Sequence, residues 1–163
     1  MSNDTTTLQV YRVYIRATPQ QVWDAITDPV WNTRYGYPGA NEYELHAGGS
    51  FRAVMPAGMM GPDEFVGVDG EVLEADPPTR LVQTWRFRFD EAQIAEGFQR
   101  VEFDIHEEHG GVTRLTVTHD VTAAPISAAL LQGDANLQEG GGGWPWILSG
   151  LKTLLETGGS IAS

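Results

Sequence analysis

One long amphipathic helix closes a chain that is otherwise written in strands, and that combination narrows the folds open to it. From Trp144 to Thr157, at about 100° per residue, Trp144, Ile147, Leu148, Leu151, Leu154 and Leu155 fall on one arc of roughly 120°. Pro145 suits a first turn, where its missing N–H costs nothing, and Gly158-Gly159 supply a C-terminal stop. A helix with one apolar stripe must lay it on something apolar, and the rest of the chain offers a sheet with one dry face. A helix held over a curved sheet can enclose a space between the two, so this segment raises the question of a bound molecule.

The sheet is read from period-two alternation. Residues 8–16 set Tyr11, Val13 and Ile15 against Arg12, Tyr14 and Arg16. Thr18-Pro19-Gln20-Gln21 then opens a helix, with Thr18 as N-cap, Pro19 in the first turn and Gln21 completing a capping box. Val22, Trp23 and Ile26 form its apolar stripe. Asp28-Pro29 starts a short second helix carrying Trp31, which Tyr35-Gly36-Tyr37-Pro38-Gly39 ends. From Asn41 to Val121 successive antiparallel strands follow. Phe51, Ala53 and Met55 alternate with Arg52, and residues 56–63 make a loop with two methionines at its tip. Strand 64–74 has Gly67 and Gly70 at expected bulge or bend positions. Trp85, Phe87 and Phe89 alternate with Thr84, Arg86 and Arg88; Val101, Phe103 and Ile105 with Arg100, Glu102 and Asp104; Leu115, Val117 and His119 with Arg114, Thr116 and Thr118. Antiparallel strands with one wet and one dry face make a sheet covered on one side. The expected class is therefore α+β: a curved antiparallel sheet wrapped around the long C-terminal helix, with two short helices after the first strand. A further short helix is read within residues 125–138. Residues 1–7 are expected to form a flexible tail, 8–157 a single domain, and 158–163 a frayed end.

Charge and composition exclude several classes of function. The net charge of −12 opposes nucleic acid and anionic membrane surfaces, which need clustered Lys and Arg. The absence of cysteine removes disulfides, thiolate metal sites and a cysteine nucleophile. Lys152 is the one lysine, on the polar side of the last helix, and Schiff-base chemistry would have to rest on it. Met1-Ser-Asn-Asp-Thr-Thr-Thr lacks a basic start and an apolar run, and no apolar run approaches the ~18 residues of a membrane span, so a cytoplasmic location without membrane insertion is expected.

The segments Ala17–Pro29, Leu45–Arg52, Gly70–Val82, Thr113–His119 and Gly143–Leu155, in that order and spacing, carry a resemblance over roughly residues 8–157. The chain resembles the START-like, helix-grip (SRPBCC) superfamily, and within it the single-domain proteins related to the C-terminal domain of the activator of Hsp90 ATPase. The resemblance implies a helix-grip fold with a cavity between sheet and helix, used across the superfamily for hydrophobic small molecules by lipid carriers, hormone receptors and polyketide aromatases or cyclases. Fold alone does not carry function.

Candidate site residues follow from strand phase. His119 shares the phase of Leu115 and Val117 and should point toward the helix, where it could act as general acid or base or donate to a ligand oxygen; the plainer reading is a core histidine satisfied by a neighbour. Tyr43, Gln83 and Gln99 share the inward phase and could orient a polar group. Trp85, Phe87, Phe89 and Phe103 read as sheet core or cavity wall, and with Met55, Val117, Trp144 and Leu148 they complete the expected lining. Met55, Met59, Met60 and Phe65 lie on or beside the long loop, as an adaptable entrance. Trp146 falls about 200° from Trp144 on the helical wheel. It is read as following an irregular first turn or packing under another segment; a second subunit is the alternative, which leaves a homodimer open. Gly140–Gly143 lacks the GKT- or GKS-type ending of a phosphate loop and reads as a loose lead into the helix. His106-Glu107-Glu108-His109 sits before Gly110-Gly111 at a hairpin tip without the spacing of a zinc helix, so no metal and no cofactor are expected.

The leading expectation is binding of a hydrophobic or aromatic small molecule. The alternatives are a cyclase or dehydratase-type enzyme, with His119 as acid–base group and Tyr43 or Gln83 as orienting groups, and a chaperone-associated protein-interaction module acting through its acidic surface.

Overall fold

The computed structural model describes residues 5–35, 37–135 and 142–161. Residues 1–4 of the expected tail, Gly36, residues 136–141 with the first two of the four consecutive glycines, and residues 162–163 lie outside them. The described residues form a seven-stranded antiparallel sheet in the order β1-β7-β6-β5-β4-β3-β2. Its strands are β1 (Leu8–Ile15), β2 (Ala40–Tyr43), β3 (Ser50–Met55), β4 (Phe65–Asp76), β5 (Arg80–Phe87), β6 (Gln99–Glu107) and β7 (Thr113–Asp120). Between β1 and β2 lie α1 (Pro19–Thr27) and α2 (Pro29–Asn32); α3 (Glu91–Ala95) joins β5 to β6; α4 (Pro125–Leu131) and α5 (Gly143–Thr157) close the chain. This is the expected α+β helix-grip, with one element, α3, that the alternation did not reveal.

Local chemistry explains most boundaries. Thr18 Oγ1 accepts from the Gln21 N–H at 3.1 Å while Gln21 Oε1 accepts from the Thr18 N–H at 2.8 Å, the reciprocal box that fixes the start of α1. Asp28 caps α2 through Val30 N–H at 2.9 Å. On α2 the buried side chain is Asn32, while Trp31 is partly exposed beneath the Arg34 guanidinium. Asn32 donates to Gly39 O and accepts from Asn41 N–H, which staples α2 to β2. Gly67 is the extra residue where the β3–β4 register steps from Ala53↔Val68 to Val54↔Val66, so it is a bulge as expected. A Cβ there would meet Met55 Cγ at 2.6 Å. Gly70 instead permits close pairing, since a Cβ would lie 2.0 Å from Thr84 O, and the second bulge falls at Leu73.

The inward phase expected of β3, β5, β6 and β7 is the buried one. Phe51, Ala53, Met55, Trp85, Val101, Phe103, Ile105, Leu115 and Val117 form one core with Trp144, Leu148, Leu151 and Leu154 of α5 and Val22, Trp23 and Ile26 of α1. The outer face is wet and ion-paired: Arg86 holds Asp69 at 2.8 Å, Arg88 holds the same carboxylate at 3.1 Å, and Arg80 holds Asp104 at 2.7 Å. Half-exposed pairs of this kind contribute little each; the fold rests on the apolar seam between sheet and α5. No helix among the described residues is long and apolar enough to cross a membrane.

Candidate ligand-binding site

Two different spaces lie where one cavity was expected. Directly beneath the middle of α5 the gap is almost filled. A void of about 20 Å³, room for about one water, remains among Tyr35, Tyr37, Asn41, Tyr43, Trp85, Phe103, Trp144 and Leu148. Trp144 and Leu148 therefore complete a core. The Trp144 ring sits 5.4 Å from Trp85 and 5.7 Å from Phe103, centroid to centroid, spacings at which aromatic pairs attract.

The larger space lies toward the first turn of α5, with a volume of about 650 Å³, within the range of small-molecule pockets. The sheet contributes Met55, Val68, Trp85 and Phe87, and Phe89 and Gln93 follow at the end of β5 and on α3. Leu130 and Leu131 come from α4, and Gly142, Gly143, Trp146 and Ile147 from the start of α5. Tyr37 and Pro38 of the α2–β2 connection complete the wall with Met59 and Met60. Those two methionines are 42% and 59% exposed, so they mark the mouth, where flexible thioethers adapt to different shapes.

Trp146 finds its place here: it lies off the Trp144 stripe because it faces this second space. The first turn is irregular in the way the sequence suggested. Gly143 has φ +57°, and a Cβ on it would meet Leu131 O at 2.2 Å, so only glycine brings α5 this close to α4.

Of the residues expected to line a ligand, Met55, Trp85 and Phe87 face the large cavity. Tyr43, Phe103, Trp144 and Leu148, with Trp85 again, surround the narrow void, and Gln83, Val117 and His119 line neither. Tyr43 and Gln83 are each other's partner: the phenol donates to Gln83 Oε1 at 2.5 Å, which removes both as free orienting groups. Burial pushes the Tyr43 hydroxyl well above its ordinary pKa, so it stays protonated.

His119 points inward as the alternation required, but it is sealed at 0% exposure. Its Nδ1 accepts from Trp144 Nε1–H at 3.1 Å, and its Nε2 faces Gln99 Oε1 at 2.9 Å. Because the indole is donor only, Nδ1 must be the unprotonated nitrogen and Nε2–H donates to Gln99. The chain continues: Gln99 Nε2 donates to Ser127 Oγ at 3.1 Å, and Ser127 donates to Glu96 Oε1 at 2.7 Å. Burial, slightly opposed by the Asp120 charge, pushes the His119 pKa down to about 3. A neutral imidazole with both nitrogens engaged has no lone pair or proton for a substrate. The acid–base role considered for His119, and its role as a ligand contact, therefore find no geometry here; it is a core histidine satisfied by its neighbours.

Sequence reasoning missed Tyr37, Pro38, Val68, Gln93, Leu130, Leu131 and Ile147 as cavity wall. Leu130 and Leu131 were legible as apolar residues of the short helix after Pro125, but their facing a pocket depends on where α4 docks. That docking rests in part on Glu96, whose carboxylate accepts from the Ile126 and Ser127 N–H groups at 2.7 and 2.9 Å, and in part on Gln9 of β1, whose amide donates to Ala128 O at 2.9 Å. Glu96 caps α4 from another element, where Ala124 offers no side-chain cap.

Comparison with known proteins agrees with this architecture. The family model described as activator of Hsp90 ATPase homolog 1-like protein matches residues 16–156. The chain belongs to that family. Its fold is that of the START-like, SRPBCC helix-grip superfamily. The crystal structure of CalU16 from Micromonospora echinospora is 24% identical with a TM-score of 0.64, over 94% of this chain and 78% of that one. Protein MLL2253 from Mesorhizobium loti is 22% identical with a TM-score of 0.66, over 91% and 96%. PFC0360w, described as an HSP90 activator from Plasmodium falciparum, is 23% identical with a TM-score of 0.53, over 69% and 71%. No curated protein sequence matches the chain.

Proposed function

We propose that this family member binds a hydrophobic or aromatic small molecule in the cavity bounded by β3–β5, α3, α4, the methionine loop and the first turn of α5. One observation carries the reading: a space of about 650 Å³ walled mainly by Met, Leu, Ile, Val, Phe and Trp side chains, beside a gap under α5 of which about 20 Å³ remains. An apolar void of that size leaves many wall atoms without packing partners, and a ligand that fills it recovers those contacts. The engagement of His119 on both nitrogens favours binding without chemistry at that residue over the cyclase or dehydratase alternative. HSP90 activation is the description of the Plasmodium relative, and no feature of the cavity bears on it.

The test is a thermal-shift panel of polycyclic aromatics and fatty acids, run on the native chain and on Leu130→Trp, which places an indole in the cavity. Stabilisation by [L] at 100 times Kd is about 2.7 kcal/mol, or a rise of roughly 5–10 °C for a domain of this size. Native protein should rise with aromatic members of the panel and Leu130→Trp should not. Equal shifts in both, or none in either, would refute the reading.

A further inference from the structure

Among the described residues, three buried side-chain polar atoms have no hydrogen-bond partner: Tyr37 Oη, Asn41 Oδ1 and Trp85 Nε1. Buried polar groups are nearly always paired, and leaving one unpaired costs about 1–3 kcal/mol. All three residues line the same void of about 20 Å³. That void shares Tyr37, Trp85 and Ile147 with the large cavity, so the two spaces adjoin. Trp85 is 5% and Asn41 8% exposed, so bulk water does not satisfy them.

The chemistry of the three atoms is complementary. The indole N–H can only donate, the amide oxygen can only accept, and the phenol can do either. Asn41 Nδ2 is already used on Ile26 O at 3.1 Å, which fixes its free oxygen as the acceptor. Burial, with a smaller push from Tyr35, drives the Tyr37 pKa up, so the phenol keeps its proton. A single oxygen that accepts from Trp85 and Tyr37 and donates to Asn41 answers all three, and an alcohol or phenol oxygen does both. The large cavity adds a second constraint: among the described residues that line it there is no Asp, Glu, Lys, Arg or His. An ionised ligand would enter without a countercharge, at heavy desolvation cost. The one amide in that wall, Gln93, already gives its oxygen to Phe89 N–H at 2.9 Å.

We infer that the ligand is an uncharged polycyclic aromatic molecule bearing a hydroxyl, its rings in the large cavity and its oxygen in the small void against Trp85, Tyr37 and Asn41. This rests on the proposed binding function and specifies the class of molecule bound. A carboxylate of the same shape is rejected, because the void offers one acceptor against it and no cation. A hydrocarbon of the same shape fills the wall but leaves the three atoms unpaired.

The experiment is a fluorescence titration of the full chain with a matched trio: anthracene, 9-anthracenemethanol and 9-anthracenecarboxylate at pH 7. The carbinol should bind about tenfold tighter than the hydrocarbon, the return for pairing buried groups, and at least tenfold tighter than the carboxylate. Tyr37→Phe removes an oxygen that makes no hydrogen bond to another described residue, so it folds, and the carbinol's advantage should fall below about threefold. Trp85→Phe repeats the measurement for the second donor. Failure of all three probes to bind would overturn the proposed function itself. Equal binding of hydrocarbon and carbinol, or an advantage that Tyr37→Phe leaves intact, would leave an apolar pocket and overturn the hydroxyl anchor. Tightest binding by the carboxylate would overturn the claim that the ligand is uncharged.

Discussion

Lowering the pH from 7 to 5 should destabilise this protein through one buried residue, His119. In the folded chain its pKa is pushed from 6.5 to about 3, because protonation would place a charge in the core and turn Nδ1 into a second donor facing Trp144 Nε1–H. The unfolded chain takes up the proton near pH 6.5 and the folded chain does not. The stability conferred by a neutral His119 is therefore complete above pH 6.5 and is lost as pH falls toward 3. One pKa unit corresponds to about 1.4 kcal/mol. At pH 5 about one and a half units are expressed, a loss of about 2 kcal/mol; by pH 3 the loss approaches about 5 kcal/mol. The assay is urea denaturation followed by tryptophan fluorescence. With a slope of about 2 kcal/mol per molar, the midpoint should move down by about 1 M between pH 7 and pH 5. His119→Gln supplies the control, since the amide can accept from Trp144 and donate to Gln99 and does not titrate. The reading is the difference between the two proteins, which cancels the change in overall charge that accompanies a chain of net charge −12. A wild-type loss that exceeds the variant's by less than about 0.5 kcal/mol would refute the burial argument, because a shift that small corresponds to an ordinary solvated histidine.

Two further perturbations test what holds the cavity walls. Gly150→Ala should destabilise by about 2–3 kcal/mol although alanine is the better helix former by about 1 kcal/mol, because a Cβ would lie 2.0 Å from the Tyr35 carbonyl oxygen; a fall in Tm of roughly 5–10 °C is expected, and a rise would show that α5 can lift freely. Glu96→Ala should cost about 2 kcal/mol by removing the acceptor of Ile126 N–H, Ser127 N–H and Ser127 Oγ–H; denaturation at pH 7 measures it, and an unchanged midpoint would mean that α4 docks without this carboxylate.

The fold was legible because its signals are local. Period-two alternation put every inward residue of β3, β5, β6 and β7 on the correct face, and the Thr18 box and Pro29 marked helix starts to the residue. The element that escaped, α3, is a single turn of five residues between two strands. Its one signal is Asp90, which accepts from Gln93 N–H at 2.8 Å, and a lone capping pair without periodic apolar residues reads equally well as a turn. The candidate site was legible only in part for a different reason. The phase of His119 could be read from its strand, but its partners Gln99 and Trp144 lie 20 and 25 residues away in sequence, and partner identity decides whether an inward histidine is a reagent or a fixture. In the same way Trp146 could be seen to face away from the stripe, but what it faces is set by α3 and α4, whose docking no periodicity encodes.

Where the molecule is solid and where it is hollow follows from how α5 is tied down. Its C-terminal half is held at three points: Gly150 lies against Tyr35, Lys152 donates to Tyr14 O at 2.6 Å, and Glu156 accepts from Arg16 N–H at 2.8 Å. These draw the helix onto β1 and close the gap beneath its middle. In the first turn Trp144 is pinned to His119 of β7, Gly143 packs on α4, and Trp146 and Ile147 face the space that stays open toward β3–β5. Trp85 stands at the boundary, with one ring neighbour, Phe51, stacked at 5.7 Å and another, Trp144, at 5.4 Å, while its N–H remains unpaired at the void. A residue locked on both sides cannot turn away to satisfy that N–H, so the partner has to come to it. The rigidity that makes the aromatic core solid is thus what keeps the anchor point of the cavity fixed and waiting.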